Sequence, residues 1–600
     1  MCGILGYSSR KELDKFTFDT ALGLLKHRGP DGFKTNHFST PHCNVYLGHT
    51  RLSIIDIQGG TQPMPSCNED SWITFNGEIY NYLEIRNEFK NRYNFRTKNS
   101  DTESILAAYS VQGKDSLKML DGMFALGIYN KKTSKIMIAR DRFGVKPLYY
   151  SKFNNTFIFS SEIKSIIAVS NDLGVIDEES ISSFWMFSHI PAPFTAYKNI
   201  NKVCPGQWLE YDLKTGNLES GFYYKFKRDN KITDYEEAEC AFTNALGNTL
   251  EKYSRSDVGM TSLLSGGVDS SLLTLELSSK NKISSAFHSL CSEEDTEDAR
   301  ALSKFTNLNL IEEKRISSYS LDDIVEELSL LDEPLGDASL FPSCLIASSI
   351  KSSGFKVAFS GDGLDELGMG YSLFQDWNFS KQQQNSILGQ LLLIFQKINI
   401  PRLKAKASRF KKADDLKLHY YNTRHFNKNY SLFSSHESLK KAYRGVVNSD
   451  LDLMNYICED LTKYYLPNEI LYKTDYASMK HSVEYRIPFL SNEITDILSS
   501  IDSNILLRKK GKSVAKSLLR KSCSHVNPFR VKKGFISNYD YIFKKDNEAL
   551  LFISKSLSNC PYINNDTMNS LENIYEIGQV SGKTMWRVLI FSIWWNNFSS

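Results

Sequence analysis

A cysteine directly follows the initiator methionine, at a position where chains usually fray and an exposed thiol is a liability unless it is used. In one interpretation Cys2 is a small apolar residue tucked under the first strand. In the other, Met1 is removed and Cys2 carries a thiol and an α-amine on the same residue. The reference pKa values of these groups, about 8.5 and about 7.7–8.0, would give such a nucleophile its own base near neutral pH.

Polar clusters in the first third of the chain supply the other groups that amide hydrolysis needs. The Asn-Gly pair at 76–77 predicts a turn that ends a strand, and at that turn Asn76 and the backbone N–H of Gly77 could form an oxyanion hole. Arg51 could bind a carboxylate in a bidentate manner, and Asp101, with Glu78, could bind an ammonium group. Singly, such clusters are more typical of turns and caps, and residues 100–103 (Ser-Asp-Thr-Glu) could simply cap a helix. Together they predict one pocket for an amino-acid amide.

These residues resemble the glutaminase domain of asparagine synthetases, which belongs to the N-terminal-nucleophile class of glutamine amidotransferases. Residues 27–32 (His-Arg-Gly-Pro-Asp-Gly) and 139–150 (Ala-Arg-Asp-Arg-Phe-Gly-Val-Lys-Pro-Leu-Tyr-Tyr) extend the resemblance over residues 1–210. The resemblance implies that Cys2, after loss of Met1, attacks the side-chain amide of glutamine, with Asn76 and Gly77 as the other catalytic groups. The glutamine-binding residues it implies are Arg51, Leu52, Ser53, Ile54, Ile55, Asn76, Gly77, Glu78 and Asp101.

Two loops further along the chain have the composition of a phosphate site. Residues 265–271 (Ser-Gly-Gly-Val-Asp-Ser-Ser) follow a short apolar run and precede a helix, so glycines, hydroxyls and a helix N-terminus meet there. The spacing differs from a Walker A loop, and taken alone the segment could be a turn that caps a helix. Residues 360–366 (Ser-Gly-Asp-Gly-Leu-Asp-Glu) follow a second strand candidate, which favours a parallel sheet with ligand at its carboxyl edge. Asp269 and Asp365 are hard oxygen ligands suited to Mg²⁺ on a polyphosphate.

The first of these loops resembles the pyrophosphate-binding loop of ATP pyrophosphatases, and residues 235–538 resemble the synthetase domain of asparagine synthetases. Residues 332–339, 473–490 and 516–520 (Lys-Ser-Leu-Leu-Arg) add to that resemblance. It implies Asp362 and Lys516 as catalytic residues, with Lys512 as the alternative lysine, and ATP and Mg²⁺ as cofactors, with Asp269 and Asp365 as metal ligands. The ATP-binding residues it implies are Leu263, Ser265, Gly266, Gly267, Asp269, Ser270, His288, Ser360 and Gly361.

The chain departs from the family pattern around the acceptor substrate. It has Leu364 where a small residue is usual, Met369 in place of glycine, Tyr476 in place of arginine and Ser491 in place of aspartate. The leading hypothesis is amidation of aspartate to asparagine through an acyl-adenylate, with ammonia passing through a tunnel between the domains. The same chemistry on a uronic acid of a surface polysaccharide is the alternative. Cys2 argues against a β-lactam synthetase, and the intact polar residues argue against an idle regulatory relative.

Length and composition indicate the architecture. The 600 residues carry a formal charge of +3, and 41% are hydrophobic, which favours large cores and argues against a dedicated nucleic-acid binder. We expect an α+β glutaminase domain over residues 2–210, with antiparallel sheets sandwiched between helices as in Ntn hydrolases. An α/β synthetase domain with a parallel sheet of the ATP pyrophosphatase type and extra helices should follow over residues 235–540, and it should begin with an amphipathic helix over 235–253. In the first domain, the apolar runs 123–129 and 135–140 predict a hairpin around residues 130–134. A helical tail, 541–600, should pack on it through its tryptophans, and residues 382–425 should form a helical insertion.

The remaining features point to a cytoplasmic enzyme acting on small molecules. Ten scattered cysteines without a Cys-x-x-Cys pair predict reduced, mostly buried thiols. No signal peptide is visible, and the apolar runs are shorter than the about 18 residues that a membrane span needs. Substrates rather than nucleic acid or membrane are the predicted partners, and a homodimer is a further expectation.

Overall fold

The computed structural model describes residues 2–290, 292–375, 453–530, 542–543, 548–563, 575 and 581–599. Within these residues the first part contains two six-stranded antiparallel sheets and the second part a five-stranded parallel sheet. This is the predicted pairing of an α+β domain with an α/β domain. The sequence-predicted insertion at 382–425 lies outside the described residues.

The strands of the first part enter its two sheets in consecutive blocks, with β1–β3 and β8–β10 in the first sheet and β4–β7 and β11–β12 in the second. The first sheet has the order β10-β8-β9-β1-β3-β2 and the second the order β12-β11-β7-β6-β5-β4. The strands are β1 (Cys2–Ser9), β2 (Gly32–Ser39), β3 (Asn44–Arg51), β4 (Met64–Pro65), β5 (Ser71–Ile79), β6 (Gly122–Asn130), β7 (Lys135–Arg140), β8 (Tyr149–Phe153), β9 (Thr156–Ser160), β10 (Asn201–Lys202), β11 (Gln207–Asp212) and β12 (Leu218–Phe222).

Helices cover the outer faces of both sheets. They are α1 (Lys15–Gly23), α2 (Tyr82–Phe89), α3 (Asp101–Gln112), α4 (Ile163–Val169) and α5 (Glu178–Phe187), with 3-10 turns at Gly113–Met119 and Asn171–Leu173. Apolar side chains that alternate along the strands fill the space between the sheets, as Ile4 and Leu47 do against Ile136 and Ile138. The opposite strand faces pack on α1, α4 and α5 in one sheet and on α2 and α3 in the other. The predicted sandwich of sheets between helices is therefore confirmed.

One predicted turn is wrong. The Asn-Gly pair at 76–77 does not end its strand, because β5 continues through both residues to Ile79 and pairs with β6. A Cβ atom at Gly77 would lie 2.1 Å from the carbonyl oxygen of Met123, so glycine is needed for close approach of the two strands and not for a reversal. The consequence is that Asn76 and Glu78 point to the same side of a rigid strand.

The second part is a parallel sheet with helices on both faces. Its strands are β13 (Met260–Leu263), β14 (Ser285–Ser289), β15 (Asn309–Glu313), β16 (Val357–Phe359) and β17 (Glu484–Arg486), in the order β15-β14-β13-β16-β17. Its helices are α6 (Tyr235–Tyr253), α7 (Val268–Ser279), α8 (Glu293–Thr306), α9 (Leu321–Leu328), α10 (Leu340–Ser352), α11 (Leu364–Leu367), α12 (Leu453–Asp460), α13 (Leu471–Lys480), α14 (Asn492–Ser500), α15 (Ser503–Leu506) and α16 (Ser513–Ser522). A π-helical stretch spans Leu461–Ile470, and 3-10 turns lie at Arg315–Ser317, Pro488–Leu490 and Arg508–Lys510.

The sheet positions two loops side by side. β13 and β16 are parallel neighbours, so the loops that follow them leave the same edge of the sheet, as the sequence predicted. β17 lies next to β16 at the end of the sheet, with Arg486 opposite Phe359. β17, the terminal strand of the sheet, therefore lies beside the loop that follows β16.

The C-terminal helices, α17 (Glu548–Leu557) and α18 (Gly582–Ser599), join both parts of the molecule. Trp594 Nε1 donates to the carbonyl of Asp332 at 2.9 Å in the second part. Phe591 packs on Trp185 of α5, with ring centroids 4.9 Å apart. The tail thus contacts the N-terminal part as well as the part on which it was expected to pack. A search of the described helices for an apolar stretch long enough to span a membrane gives none.

Candidate active sites

Cys2 lies at the start of β1, buried where the two antiparallel sheets face each other. Its backbone N–H donates to Asn76 Oδ1 at 2.9 Å, and the backbone N–H of Leu52 bonds to its thiol. Burial raises the pKa of the Cys2 thiol, against the opposing effects of the Leu52 bond and the Arg51 charge. The sulfur is therefore a thiol near neutral pH and needs a base before it can act as a nucleophile.

Asn76 is oriented as an oxyanion-hole residue would be. Its oxygen is used by Cys2, while Asn76 Nδ2 is buried and makes no hydrogen bond within the described part of the chain. A buried donor without a partner is costly unless something else satisfies it. This amide nitrogen lies on the residue that also holds Cys2, so a carbonyl oxygen attacked by the thiol would come within its reach.

Two buried carboxyl groups lie next to this amide. Asp101, at the start of α3, accepts hydrogen bonds from the N–H groups of Ile79 and Thr102, and it shares a further one with Glu78. Burial raises the pKa of Asp101 to about 6. Burial, and then the charge of Asp101, raise the pKa of Glu78. Because Glu78 Oε1 also makes no hydrogen bond among the described residues, the pair is suited to accept an ammonium group.

Arg51 turns its guanidinium towards backbone carbonyl groups of its own loop, and its binding of a substrate carboxylate stays a prediction. Its guanidinium donates to the carbonyl oxygens of Ile57 and Asp56, both at 2.8 Å, and to that of Ile55 at 3.4 Å. It therefore fixes the loop that carries Leu52 against Cys2.

The other predicted glutamine-binding residues of that loop contact both parts of the molecule, with Ser53 held inside the first part and Leu52 and Ile54 facing the second. The N–H of Ser53 donates to Asp31, and the carbonyl of Ile54 accepts from Asp257. Leu52 and Ile54 are buried in the core shared with the second part.

The synthetase part contributes charges to this site that sequence reasoning missed. Arg486 NH2 lies 3.8 Å from Glu78 Oε2, and Arg486 Nε donates to Glu484 at 2.7 Å. Both residues are buried on β17, within the segment 473–490 that was assigned only to the resemblance with the synthetase domain. A signal was present in the sequence, since two opposite charges alternate within a short apolar strand that can hardly be solvent-exposed on both faces.

A second set of buried charges crosses between the two parts. Arg28 donates to both oxygens of Asp475, at 2.9 and 3.2 Å, and Lys146 lies 3.4 Å from the same carboxylate. Arg28 Nε also donates to the carbonyl of Cys2 at 3.2 Å. Paired buried charges of this kind are costly to separate, so the Cys2 strand and α13 are held in one arrangement.

The loop after β13 is shaped to receive an anion. Gly266 has a φ of +79°, and a Cβ atom there would lie 2.1 Å from the carbonyl oxygen of Asp295. The N–H of Ser265 donates to Ser270 Oγ at 3.0 Å, and that of Gly267 to Ser265 Oγ at 3.4 Å. α7 begins at the next residue, so the N-terminal, positive end of a twelve-residue helix faces the loop.

The two predicted metal ligands converge on one point. Lys512 Nζ lies 2.7 and 2.8 Å from the carboxylate oxygens of Asp269 and 2.5 Å from Asp365 Oδ1. A Cβ atom at Gly370 would lie 2.0 Å from Asp365 Oδ1 and 2.1 Å from Lys512 Cε, so the space is closely lined. Two carboxylates around one cation fit a Mg²⁺ ion that completes its coordination with phosphate and water. No group of three or more metal-ligating side chains occurs within the described residues.

Lys516, the predicted catalytic lysine, lies one turn further along α16. Its ammonium group donates to the carbonyls of Lys509 and Lys510 at 2.9 and 3.2 Å. Burial, and then the charge of Lys512, lower the pKa of Lys516 to about 8. Lys512 thus contacts the two aspartates directly, whereas Lys516 lies behind it on carbonyl oxygens.

The second loop packs against the first. A Cβ atom at Gly361 would lie 3.1 Å from Asp269 Cβ, and Asp362 Oδ2 accepts from Ser360 Oγ and Thr474 Oγ1 at 2.8 and 2.9 Å. Leu263 ends β13 beneath them. His288 is buried with both ring nitrogens bonded, one to the Leu264 carbonyl and one to Thr296 Oγ1, so it shapes this edge of the sheet.

The residues that depart from the family pattern are mostly structural. Leu364 and Met369 are buried in the hydrophobic core, and Tyr476 donates to the carbonyl of Glu327 at 2.9 Å. Ser491 accepts from the N–H of Ile494 as the N-cap of α14.

Near them, Lys473 lies 3.1 Å from Asp337 Oδ2 and 2.8 Å from Ser339 Oγ. Lys473 is the neighbour in sequence of Thr474, which donates to Asp362 of the second loop, so these polar groups lie close to that loop.

Comparisons with known proteins agree with this arrangement. Residues 1–224 match the family model described as a glutamine amidotransferase domain, and residues 241–596 match the asparagine synthase model. The glutamine-hydrolysing asparagine synthetase 1 of Bacillus subtilis is 30% identical over 99% of this chain and 96% of its own. Asparagine synthetase B of Escherichia coli is 28% identical over 66% of this chain and 69% of its own.

The fold and these matches define a two-domain protein in which an N-terminal amidotransferase domain precedes a synthetase domain. The chain belongs to the asparagine synthase family.

Proposed function

We propose that this protein is a glutamine-dependent ligase that uses ATP to amidate a carboxylate, with aspartate as the acceptor and asparagine as the product. The observation that carries the proposal is the pairing of the two sites. Cys2 is held against an unused amide donor and two buried carboxyl groups, and the strand behind those groups borders the loop that carries Asp362 and Asp365.

In the first site, the α-amine of Cys2 exposed by loss of Met1 takes the thiol proton. The sulfur then attacks the amide carbon of glutamine, and the C–N bond breaks as the nitrogen leaves, protonated, as ammonia. Asn76 Nδ2 donates to the oxyanion that forms meanwhile. Water then hydrolyses the thioester, which releases glutamate and restores the thiol. The carboxyl pair of Glu78 and Asp101 holds the α-ammonium group of glutamine throughout.

In the second site, an oxygen of the acceptor carboxylate attacks the α-phosphorus of ATP, and pyrophosphate leaves. The loop of residues 265–270 and the ammonium groups of Lys512 and Lys516 receive the negative charge. Asp269 and Asp365 would hold Mg²⁺, which supplies further positive charge to the polyphosphate. Ammonia from the first site then attacks the acyl carbon, AMP leaves, and the amide remains. Ammonia retains its nucleophilicity only if it reaches this carbon unprotonated, so a protected path between the domains is part of the proposal.

The test is a turnover assay with ATP, Mg²⁺ and glutamine against a panel of acceptors. Pyrophosphate and glutamate are followed with aspartate, free uronic acids and nucleotide-linked uronic acids. We expect both products with aspartate, together with asparagine in equal amount. Pyrophosphate release with a uronic acid and none with aspartate would assign the enzyme to sugar amidation. Glutamate release without pyrophosphate from any acceptor would overturn the assigned acceptors and leave a glutaminase.

A further inference from the structure

Arg486 is a single residue that contacts groups of both predicted sites. It lies on β17, the terminal strand of the parallel sheet, and its side chain is completely buried. Its NH1 group donates to the carbonyls of Tyr253 and Arg255 at 2.6 and 2.7 Å, at the C-terminal end of α6 and just beyond it. These bonds, with the one from Nε to Glu484, hold the guanidinium in one orientation.

The free end of that guanidinium faces the glutamine site. Arg486 NH2 makes no hydrogen bond in the described structure and lies 3.8 Å from Glu78 Oε2. The charged groups around the Glu78 and Asp101 pair are Arg486 and Glu484 on β17 and the N-terminal amino group on the β1 side. Arg486 therefore acts on two buried carboxyl groups, Glu78 and Glu484. Glu78 in turn interacts with Asp101, while Lys146 acts on Glu484.

The backbone of the same residue faces the nucleotide site. The carbonyl of Arg486 accepts from the N–H of Ser360 at 2.8 Å, at the start of the loop that carries Asp362. Its side chain and its backbone thus contact groups of two different predicted sites. The arrangement differs from a purely structural arginine, because the NH2 group points at a carboxylate that the glutamine site uses.

We infer that Arg486 is a positioning residue of the glutamine site supplied by the synthetase domain, and that it counterbalances the buried carboxyl groups so that Glu78 and Asp101 can accept the substrate's ammonium group. The inference rests on the proposed glutaminase function. Its consequence is that the affinity for glutamine depends on a residue of the other domain.

The electrostatic consequence has a definite sign. The positive charge of Arg486 lowers the pKa of Glu78 against the effect of burial. Without that charge the carboxyl pair keeps its proton to higher pH, so glutamine binding requires a higher pH. The acid limb of kcat/KM for glutamine therefore moves upwards when the charge is removed, whereas a loss of packing alone would lower activity at every pH.

The test compares Arg486→Met and Arg486→Lys with the unaltered enzyme and with Arg300→Met. Arg300 is paired with Glu312 on the exposed side of α8 and serves as the matched arginine control. Glutamate release is measured across pH, with ammonia-supported pyrophosphate release as the measure of an intact synthetase domain.

For Arg486→Met we expect the KM for glutamine near pH 7 to rise by about tenfold or more, since one unit of pKa corresponds to a factor of ten. The acid limb should move to higher pH, kcat should change less than KM, and ammonia-supported activity should persist. Arg486→Lys retains the charge and should keep the acid limb close to that of the parent. If the methionine variant is insoluble, Arg486→Lys still tests the inference. An acid limb of kcat/KM that moved in Arg486→Lys as far as expected for loss of the charge would overturn it.

An unchanged KM, or a uniform loss with an unmoved acid limb, would overturn the role of Arg486. In a Glu78→Gln background, Arg486→Met should move the limb less than it does alone, and an equal shift in both backgrounds would also contradict the inference. A parent enzyme that does not hydrolyse glutamine at all would instead overturn the proposed function.

Discussion

Cys2 has a use only if its thiol can lose a proton in a buried setting. Burial raises the pKa of that thiol. Within the described residues, the hydrogen bond from the Leu52 N–H and the positive charge of Arg51 act in the opposite direction. An adjacent α-amine, with a reference pKa near 8, is the base that the position offers once Met1 is removed. The chemistry of the first site therefore depends on processing of the N-terminus.

Cys2→Ala separates the two activities. We expect glutamate release from glutamine to fall by more than about a thousandfold, because no other group in the site can form the thioester. Pyrophosphate release with ammonia should continue, since the nucleotide loops do not contact the thiol. Mass spectrometry of the parent protein should show a mature chain that begins with Cys2. Retained Met1 in a protein that hydrolyses glutamine at full rate would contradict the assignment of the α-amine as the base.

Asp101 gives the first site a pH dependence. Burial raises its pKa to about 6, so it takes up a proton as the pH falls through this value and can no longer bind an ammonium group as a carboxylate. We expect kcat/KM for glutamine to decline below pH of about 6, with kcat less affected.

Asp101→Asn should raise the KM and move the acid limb to lower pH, because the charge of Asp101 raises the pKa of Glu78. This shift is opposite to the one expected for Arg486→Met. Initial rates at saturating and limiting glutamine measure both effects, and a limb that moves upwards would contradict the paired-carboxyl model.

At the scale of elements, the loops after β13 and β16 form a site because the strands are parallel neighbours, and the space between them is small. A methyl group at Gly370 would lie 2.0 Å from Asp365 Oδ1 and 2.1 Å from Lys512 Cε. Gly370→Ala should therefore displace the carboxylate and the lysine and abolish most pyrophosphate release, while glutamate release persists.

Gly247→Ala is the matched control. A Cβ atom there meets nothing within 4 Å, and alanine in a helix favours stability by up to about 1 kcal/mol. Isothermal titration with ATP and Mg²⁺ would measure binding separately from turnover. Unaltered nucleotide binding and turnover in Gly370→Ala would show that the aspartates do not need their present positions.

The sequence predicted the elements that have strong local patterns. The helix over Tyr235–Tyr253 agrees with its amphipathic periodicity, and the β6–β7 hairpin agrees with the two apolar runs separated by a polar turn. The turn expected at Asn76–Gly77 was wrong because cross-strand contact with Met123, not chain reversal, demands the glycine.

Arg486 was missed as part of the glutamine site for a related reason. The alternating charges of its strand indicate that it is buried, but its proposed role depends on Glu78 of β5 lying beside it in space, and no local pattern contains that information. The orientation of Arg51 towards carbonyl oxygens likewise depends on how its own loop folds back.

At the scale of the whole molecule, buried charges and the C-terminal helix hold the two domains together. Arg28 pairs with Asp475 across the domains, and Ser482 donates to the carbonyl of His27. Because one partner of each contact lies in each domain, separation would leave buried charges and polar groups unpaired, at a cost of several kcal/mol. The domains are therefore expected to unfold together, and the most direct way to examine this is to weaken the helix that contacts both.

Trp594 is the residue of that helix to alter. It is buried and donates to the Asp332 carbonyl, while its neighbour Phe591 packs on α5 of the amidotransferase domain. Trp594→Ala should lower the free energy of unfolding by about 3–5 kcal/mol, the usual cost of truncating a buried tryptophan. Phe598→Ala, at a partly exposed position on the same helix, should cost clearly less. Urea unfolding followed by circular dichroism and by residual glutamate release should show both signals shifting to the same lower midpoint. If glutamate release kept the parent's midpoint while circular dichroism shifted, the amidotransferase domain would be stable on its own, and the helix would stabilise only the synthetase domain.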